Sequence, residues 1–187
     1  MPVDFNRRHL LKISAASALF APMLQAQGHP LMERLRAGGY VIYFRHAATT
    51  WSGIDSIDWP RERQRLLSDL GIAQSEQIGR AFEAAQVPVG EVLASPFARC
   101  RDMAEIAFGR VEERMELLGL LSDDEGRADR IAYLRDKMET PPAPGQNRII
   151  IAHRSNIAEV AGATLAEGAA VITRPSARGF DIVGQLM

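Results

Sequence analysis

Three short segments of the chain combine histidine and arginine in a pattern typical of phosphate binding. Arg45 and His46 follow the apolar run "YVIYF", and His153 and Arg154 follow the run "RIIIA". Between them, "SPFARCR" places Arg99 near the start of a predicted helix. The planar guanidinium of arginine matches phosphate oxygens through paired hydrogen bonds, and a neutral imidazole can act as nucleophile or proton carrier. A compact polyanion, most simply a phosphate group, is therefore the expected ligand.

Each of these segments is predicted to follow a β-strand. Residues 40–44 and 148–152 are continuous apolar runs, which are typical of strands buried on both faces of a sheet. Residues 91–94, "EVLA", form a third short run. In parallel sheets, ligands bind beyond the carboxyl ends of the strands, so the three segments are expected to face one crevice.

Helical patterns separate these strands. Helices are predicted over residues 68–86, 96–109, 127–138 and 156–163, and two further strands over 170–172 and 180–183. Ser68 is the expected N-cap of the first helix, because its hydroxyl can accept from a free backbone N–H. The alternation of strands and helices predicts an α/β fold, a three-layer sandwich with a mostly parallel central sheet flanked by helices.

The first 26 residues have the composition of an export signal. The basic residues Arg7, Arg8 and Lys12 precede a mildly apolar segment at 13–24, which is too short to span a bilayer, and the small residue Ala26 follows. The paired arginines resemble a twin-arginine signal, which exports folded proteins. Residues 1–26 are thus predicted to be a signal peptide, and residues 27–187 to form one domain in the periplasm. An amphipathic first helix is the alternative.

Bulk composition narrows the class of partner. The formal net charge is −1, so no overall field favours nucleic acid or an anionic membrane surface. The chain has a single cysteine, Cys100, which excludes an intramolecular disulfide and a cysteine-based zinc site. We expect a small-molecule phosphoester or phosphosugar substrate, no nucleic acid partner and no stable membrane insertion after signal cleavage.

The ordered motifs give the chain a resemblance to the histidine phosphatase superfamily, the phosphoglycerate-mutase-like enzymes. "RHA" at 45–47 resembles the first motif of the family, "SPFAR" at 95–99 the second, and the strand ending at His153 the third. "LSDLG" at 67–71 resembles the helix start between the first two motifs. The matches run from about residue 40 to residue 156. The length of the chain resembles that of the small, uncapped members.

The resemblance implies a mechanism. His46 would be the nucleophile that forms a phosphohistidine, and water would then hydrolyse it. Arg45, Arg99 and His153 would bind the phosphoryl oxygens. Arg154 stands where the family usually has a small residue, and it would add a cation for the phosphate or for a second anionic group. No cofactor or metal is implied.

The acid that protonates the leaving group is not identified by the motifs. One branch of the family has an Asp directly after the second histidine, where this chain has Arg154. The other branch has a Glu in the segment after the second motif. The candidates here are Glu125, which is narrowly favoured, its neighbours Asp123 and Asp124, and Asp55 or Asp58 after the nucleophile. The alternative for the acidic run at 123–125 is a solvated turn before a helix, where the helix dipole favours acids.

Several functions therefore remain open. The first is an exported phosphomonoesterase, and a second is a phosphatase specific for an envelope component such as a phosphorylated sugar. A non-catalytic phosphate-binding module is the alternative from another class. A mutase is disfavoured by the export signal. A two-histidine phosphodiesterase fits "HRS" at 153–155 but not "HAA" at 46–48.

Overall fold

The computed structural model describes residues 30–122 and 125–187. The predicted signal peptide and the candidates Asp123 and Asp124 lie outside the described residues. The helices are α1 (Pro30–Leu35), α2 (Asp69–Ala84), α3 (Ala98–Phe108), α4 (Arg127–Glu139) and α5 (Arg154–Ala161). The strands are β1 (Val41–Arg45), β2 (Val89–Ala94), β3 (Glu112–Glu113), β4 (Asn147–Ala152), β5 (Ala170–Ser176) and β6 (Gly179–Leu186).

One six-stranded sheet forms the centre of the molecule, in the order β3-β2-β4-β1-β5-β6. The pairs β3–β2, β2–β4 and β4–β1 are parallel, whereas β5 is antiparallel to β1 and to β6. The predicted fold class is confirmed, since the strands that carry the three motifs are neighbours and run in the same direction. Their carboxyl ends meet at one edge of the sheet.

Helices cover both faces of the sheet. In β1, Ile42 and Phe44 point into a core shared with α1, α2 and α3, and Val41 and Tyr43 point into a second core shared with α4 and α5. All four side chains are fully buried. Successive side chains of a strand point to opposite faces, so a strand between two helical layers needs apolar residues at every position. This requirement explains the unbroken apolar runs of β1 and β4.

The helix boundaries follow local capping. Ser68 caps α2 as expected, its Oγ accepting from the N–H of Gly71 at 3.2 Å. Helix α3 starts at Ala98, after the Ser-Pro pair, and ends at Gly109 in the left-handed conformation. Helix α5 starts at Arg154, two residues before the predicted start. His153 is therefore the N-cap residue of α5.

The sequence patterns missed the shortest elements and the full length of the last two strands. Helix α1 and the two-residue strand β3 were not predicted, and β5 and β6 extend beyond residues 170–172 and 180–183. These two strands form a hairpin at the edge of the sheet, where one face is more exposed and polar residues interrupt the apolar pattern. Among the described residues, no helix is long and apolar enough to cross a membrane.

Candidate active site

The carboxyl ends of β1, β2 and β4 border an open cleft of about 400 Å³. Its walls come from the end of β1, loops 52–55 and 119–122, and the start of α5. The side chains that the sequence singled out and that the structure brings together here are Arg45, His46, Asp55, Arg99, His153 and Arg154. Arg65 and Glu167 also line the cleft, and the sequence patterns did not point to them.

His46 is buried, and Nε2 is the nitrogen of its ring that carries no proton. Its Nδ1 lies 2.9 Å from the carbonyl oxygen of Ala47. A carbonyl only accepts, so Nδ1 carries the proton and Nε2 has the free lone pair. Burial, followed by the charge of Arg99, lowers the pKa of His46 from 6.5 to about 3. The imidazole is therefore neutral, the form that nucleophilic attack requires.

His153 packs beside His46, with 5.7 Å between the ring centroids. Its Nε2 lies 2.8 Å from Ser95 Oγ, and its Nδ1 faces Arg99 Nη2 at 3.5 Å. Because a guanidinium can only donate, Nδ1 is the unprotonated nitrogen and Nε2–H donates to the serine. Burial and the neighbouring Arg99 hold the pKa of His153 well below its ordinary value. Arg99 thus sets the tautomer of this ring, and Ser95 accepts the Nε2 proton.

Arg99 is held by a buried ion pair with Asp55. The Nη1 atom donates to Oδ2 at 2.8 Å and to Oδ1 at 3.1 Å. The guanidinium also lies over the ring of Phe97, 4.2 Å from its centroid. Both contacts restrict the side chain to one orientation, with Nη2 directed at His153. Asp55 therefore positions a cation that faces both imidazoles.

Arg45 and Arg65 share one carboxylate. Arg45 Nη2 lies 3.1 Å from Glu167 Oε1, and Arg65 Nη2 lies 3.5 Å from the same oxygen. Arg45 also donates to the carbonyl of Leu165 at 3.0 Å. Burial and the other arginines lower the pKa of both guanidiniums, while Glu167 opposes that shift. The carboxylate thus stabilises two adjacent cations in a partly buried place.

Arg65 forms hydrogen bonds with the loop that follows His46. Its guanidinium donates to Thr49 Oγ1 at 2.7 Å and to the carbonyls of Trp51 and Gly53 at 2.9 and 3.1 Å. Its backbone N–H donates to Asp55 Oδ2 at 2.8 Å. Arg65 belongs to the charged run "RERQR", which in the sequence is indistinguishable from a solvated surface segment. The hydrogen bonds of Arg65 with the loop can be recognised only in the folded structure.

Arg154 occupies the mouth of the cleft at the first turn of α5. Its side chain is exposed, and it forms no ion pair with the carboxylates of the described residues. Its charge is close enough to lower the pKa of Arg45. The arrangement leaves one cation available to a ligand that enters from solvent.

Two of the predicted proton-donor candidates lie outside the cleft. Glu125 is exposed and is not among the cleft-lining residues, and its backbone carbonyl accepts from Arg130 Nη2 at 2.7 Å. Asp58 is exposed and contacts Ser56. Asp55 lines the cleft but accepts from Arg99. In residues 30–122 and 125–187, no three His, Cys, Asp or Glu side chains are grouped so as to hold a metal ion.

Two residues near Arg99 on α3 face away from the open cleft. Arg101 pairs with Glu113 at 3.2 Å, because β3 brings that residue close. Cys100 is fully buried, with Sγ 4.0 Å from His153 Nε2. Burial raises the pKa of its thiol to about 12.

The chain belongs to the histidine phosphatase superfamily. The family model of its branch 1 matches residues 41–152, which is more than half of the chain and includes the first two motif segments and the strand β4 that precedes His153. No curated protein matches in sequence.

Solved structures share the fold at low sequence identity. The protein histidine phosphatase SixA complexed with tungstate has a TM-score of 0.57 at 18% identity, covering 79% of this chain and 96% of that one. The alpha-ribazole phosphatase from Shigella flexneri has a TM-score of 0.59 at 15% identity, covering 79% and 96%. A phosphoserine phosphatase variant from Entamoeba histolytica, in complex with phosphoserine, has a TM-score of 0.56 at 12% identity, covering 79% and 96%. These neighbours are phosphatases on different substrates, and at this identity the likeness shows a shared fold.

Proposed function

We propose that the chain is a phosphomonoester hydrolase that acts through a phosphohistidine at His46. The observation that carries the proposal is the state of His46 in the cleft. The ring is neutral, its Nδ1 proton is held by a carbonyl, and its Nε2 is free beside three arginines. A nucleophile prepared in this way can split one difficult displacement into two easier steps.

The charged side chains around His46 fit the needs of both steps. Nε2 attacks phosphorus as the bond to the leaving oxygen breaks, and water later attacks the phosphohistidine to release phosphate. The proposed ligands of the phosphoryl oxygens are Arg45, Arg99, His153 and Arg154. They would stabilise the charge on these oxygens in the transition state. Removing one preorganised donor of this kind typically lowers the rate on the order of 10²–10³-fold. The mechanism uses no metal ion.

The proposed substrate is a small or envelope-linked phosphoester. The cleft is open at the mouth, and loops 52–55 and 119–122 border it, so the leaving group can extend into solvent. SixA, the alpha-ribazole phosphatase and the phosphoserine phosphatase support a phosphorylated substrate of modest size or a phosphorylated protein side chain. The twin-arginine-type pattern of residues 1–26 supports export, which favours an envelope phosphosugar.

A non-catalytic phosphate-binding module is the second candidate. Both carboxylates among the described cleft residues, Asp55 and Glu167, are bound to arginines. A site without a free acid binds phosphate but protonates an alkoxide leaving group poorly. This module would bind inorganic phosphate tightly and turn over no ester.

The test uses the full chain and an aryl phosphate at pH 5 to 8 with a metal chelator present. We expect metal-independent turnover by the wild type, loss of turnover in His46→Ala, and an acid-labile phosphoenzyme only in the wild type. Asp58→Ala, an exposed position outside the cleft, is the matched control and is expected to behave as wild type. Full activity of His46→Ala on every ester tested would overturn the proposal. Phosphate protection against heat without turnover would favour the binding module.

A further inference from the structure

Neither of the two carboxylates among the described residues of the cleft is free to act as a proton donor. Asp55 accepts from Arg99 through both oxygens and from the backbone N–H of Arg65. Glu167 lies against Arg45 and Arg65. A general acid must carry a proton and reach the leaving atom, and these two groups serve as acceptors for arginines. Among the described residues, the proton for the leaving group would therefore come from a side chain other than these two carboxylates.

His153 is the titratable group best placed for this role. It borders the same cleft as the nucleophile, and its Nδ1 is unprotonated because Arg99 donates toward it. Its Nε2–H is already committed to Ser95 Oγ at 2.8 Å. Any proton that the ring gains must therefore go to Nδ1, the nitrogen beside the arginine that faces the phosphate site.

In the absence of a ligand, the charges around His153 disfavour a proton on Nδ1. The described groups that lower the pKa of the ring or contact its nitrogens are cationic or neutral: Arg99 and the thiol of Cys100 from α3, Arg45 and His46 from the end of β1, Arg65 from the following loop, and the hydroxyl of Ser95. Among the described residues, no carboxylate is hydrogen-bonded to either imidazole. A bound dianion would reverse the sign of this field at close range, where water does not screen it.

We propose that His153 takes up a proton when a phosphoryl dianion binds and delivers that proton to the leaving group. The inference rests on the proposed phosphatase function and assigns its acid to a described residue of the cleft. Substrate binding thereby protonates His153. The acid is therefore present only when a phosphoryl group is bound in the cleft.

The two half-reactions balance with one proton. In the first, the Nε2 lone pair of His46 forms the bond to phosphorus, the P–O bond electrons pass to the leaving oxygen, and His153 Nδ1–H protonates that oxygen. In the second, a water oxygen attacks phosphorus, neutral Nδ1 takes a proton from the water, and the P–N bond electrons return to His46 Nε2. His153 ends protonated beside bound phosphate and is reset when the dianion leaves.

The direct test is to count protons by calorimetry while sulfate binds to the full chain at pH 6, in two buffers of different ionisation enthalpy. Sulfate stays a dianion at this pH and cannot take up the proton itself. We expect the wild type to take up close to one proton per bound sulfate, His46→Asn to keep this uptake, and His153→Asn to lose it. Binding without proton uptake in the wild type overturns the inference, as does uptake that persists in His153→Asn.

A second measurement needs no variant and guards against a misfolded mutant. In the wild type labelled with nitrogen-15 at histidine, sulfate is expected to shift one buried imidazole from the neutral Nε2–H pattern to the doubly protonated pattern. An imidazole spectrum that sulfate leaves unchanged contradicts the proposal. Both readouts depend on binding alone, so proton uptake without turnover would reject the hydrolase function and leave the protonation of His153 standing.

Turnover then separates delivery of the proton from its uptake. His153→Asn is expected to lose much more kcat/KM with an alkyl phosphate than with a nitrophenyl phosphate, because nitrophenolate leaves without a proton. Equal losses on both substrates would show that His153 only binds the phosphoryl group, and would overturn the delivery step.

Discussion

At the scale of single residues, Asp55 shows how a loop side chain controls a distant motif. Its side chain and that of Arg99 are 3% and 5% exposed, and they lie 44 positions apart in the chain. A buried ion pair is costly to break from one side, by about 3–5 kcal/mol, because a charge is left unpaired. Here the unpaired charge would be the guanidinium that faces both imidazoles.

We predict that Asp55→Asn weakens phosphate binding without removing the nucleophile. The amide keeps the shape but lacks the charge that orients Arg99, so KM for an aryl phosphate is expected to rise by about tenfold, equivalent to ~1.4 kcal/mol. Steady-state kinetics measures the effect. The exposed Asp58→Asn is the control and should leave KM unchanged. If Asp55→Asn lowered kcat alone and spared KM, Asp55 would act on the chemical step, as the proton-donor hypothesis requires.

Sequence patterns located the residues that follow strands and missed those that depend on loops. Arg45, His46 and His153 could be placed because a buried strand fixes where the next side chain lies. The ion pairs of Arg65 and Glu167 could not, since they depend on the path of two irregular segments. Charged residues in such segments have the same composition whether they face solvent or a site.

At the scale of elements, the first turn of α2 supports the segment that follows the nucleophile. The Ser68 N–H donates to the carbonyl of Ala48 at 3.0 Å, and the Ala48 N–H donates to Gln74 Oε1 at 3.0 Å. Gly71 lies so close that a Cβ at this position would overlap the Ala48 carbonyl oxygen. Helix α2 therefore needs a glycine at position 71 to pack closely against the segment that follows His46.

We predict that Gly71→Ala damages activity as well as stability. The added methyl must push α2 away from Ala48, and overpacking of this kind costs about 1–3 kcal/mol. The matched control is Gly79→Ala on the same helix, where the Cβ would lie 2.6 Å from the Ala107 carbonyl oxygen on α3. Urea unfolding is expected to show a loss of stability in both variants, and kcat of the folded protein is expected to fall only in Gly71→Ala. Equal kcat in the two variants would contradict the role assigned to this turn.

The elements that sequence patterns predicted are those with a strong period and a clear end. Helix α2 has a capping serine, a buried apolar face and a proline at residue 88 that follows its end. Helix α1 has six residues, too few to establish a period, and strand β3 has two. Their formation depends on contacts with the rest of the fold, since short segments are not stable alone.

At the scale of the whole molecule, two neutral imidazoles are buried in a cationic surrounding. Above pH 6.5, His46 and His153 are neutral in the folded and in the unfolded chain, so their shifts have no effect there. Below pH 6.5, the unfolded chain binds two protons that the folded chain excludes. The free energy of unfolding then falls with pH, by up to ~1.4 kcal/mol per pH unit for each imidazole.

We predict that the folded protein loses stability steeply between pH 6.5 and about pH 3. The lower limit of this window follows from the pKa of His46, which burial lowers to about 3. Urea unfolding at a series of pH values, in buffers free of phosphate and sulfate, measures the slope. The double variant His46→Asn, His153→Asn is the comparison, and its curve is expected to be flatter. Parallel curves would mean that carboxylates alone set the acid limit.

The buried thiol gives the molecule an internal reporter. Cys100 is the chain's single cysteine, it is fully buried, and its Sγ lies 4.0 Å from the His153 ring. A thiol whose pKa is raised to about 12 is almost entirely protonated at neutral pH, and an alkylating reagent reaches it only when the surrounding core opens. The rate of cysteine labelling therefore reports how often the core around His153 opens. A bound anion that contacts both Arg99 and His153 is expected to lower this rate.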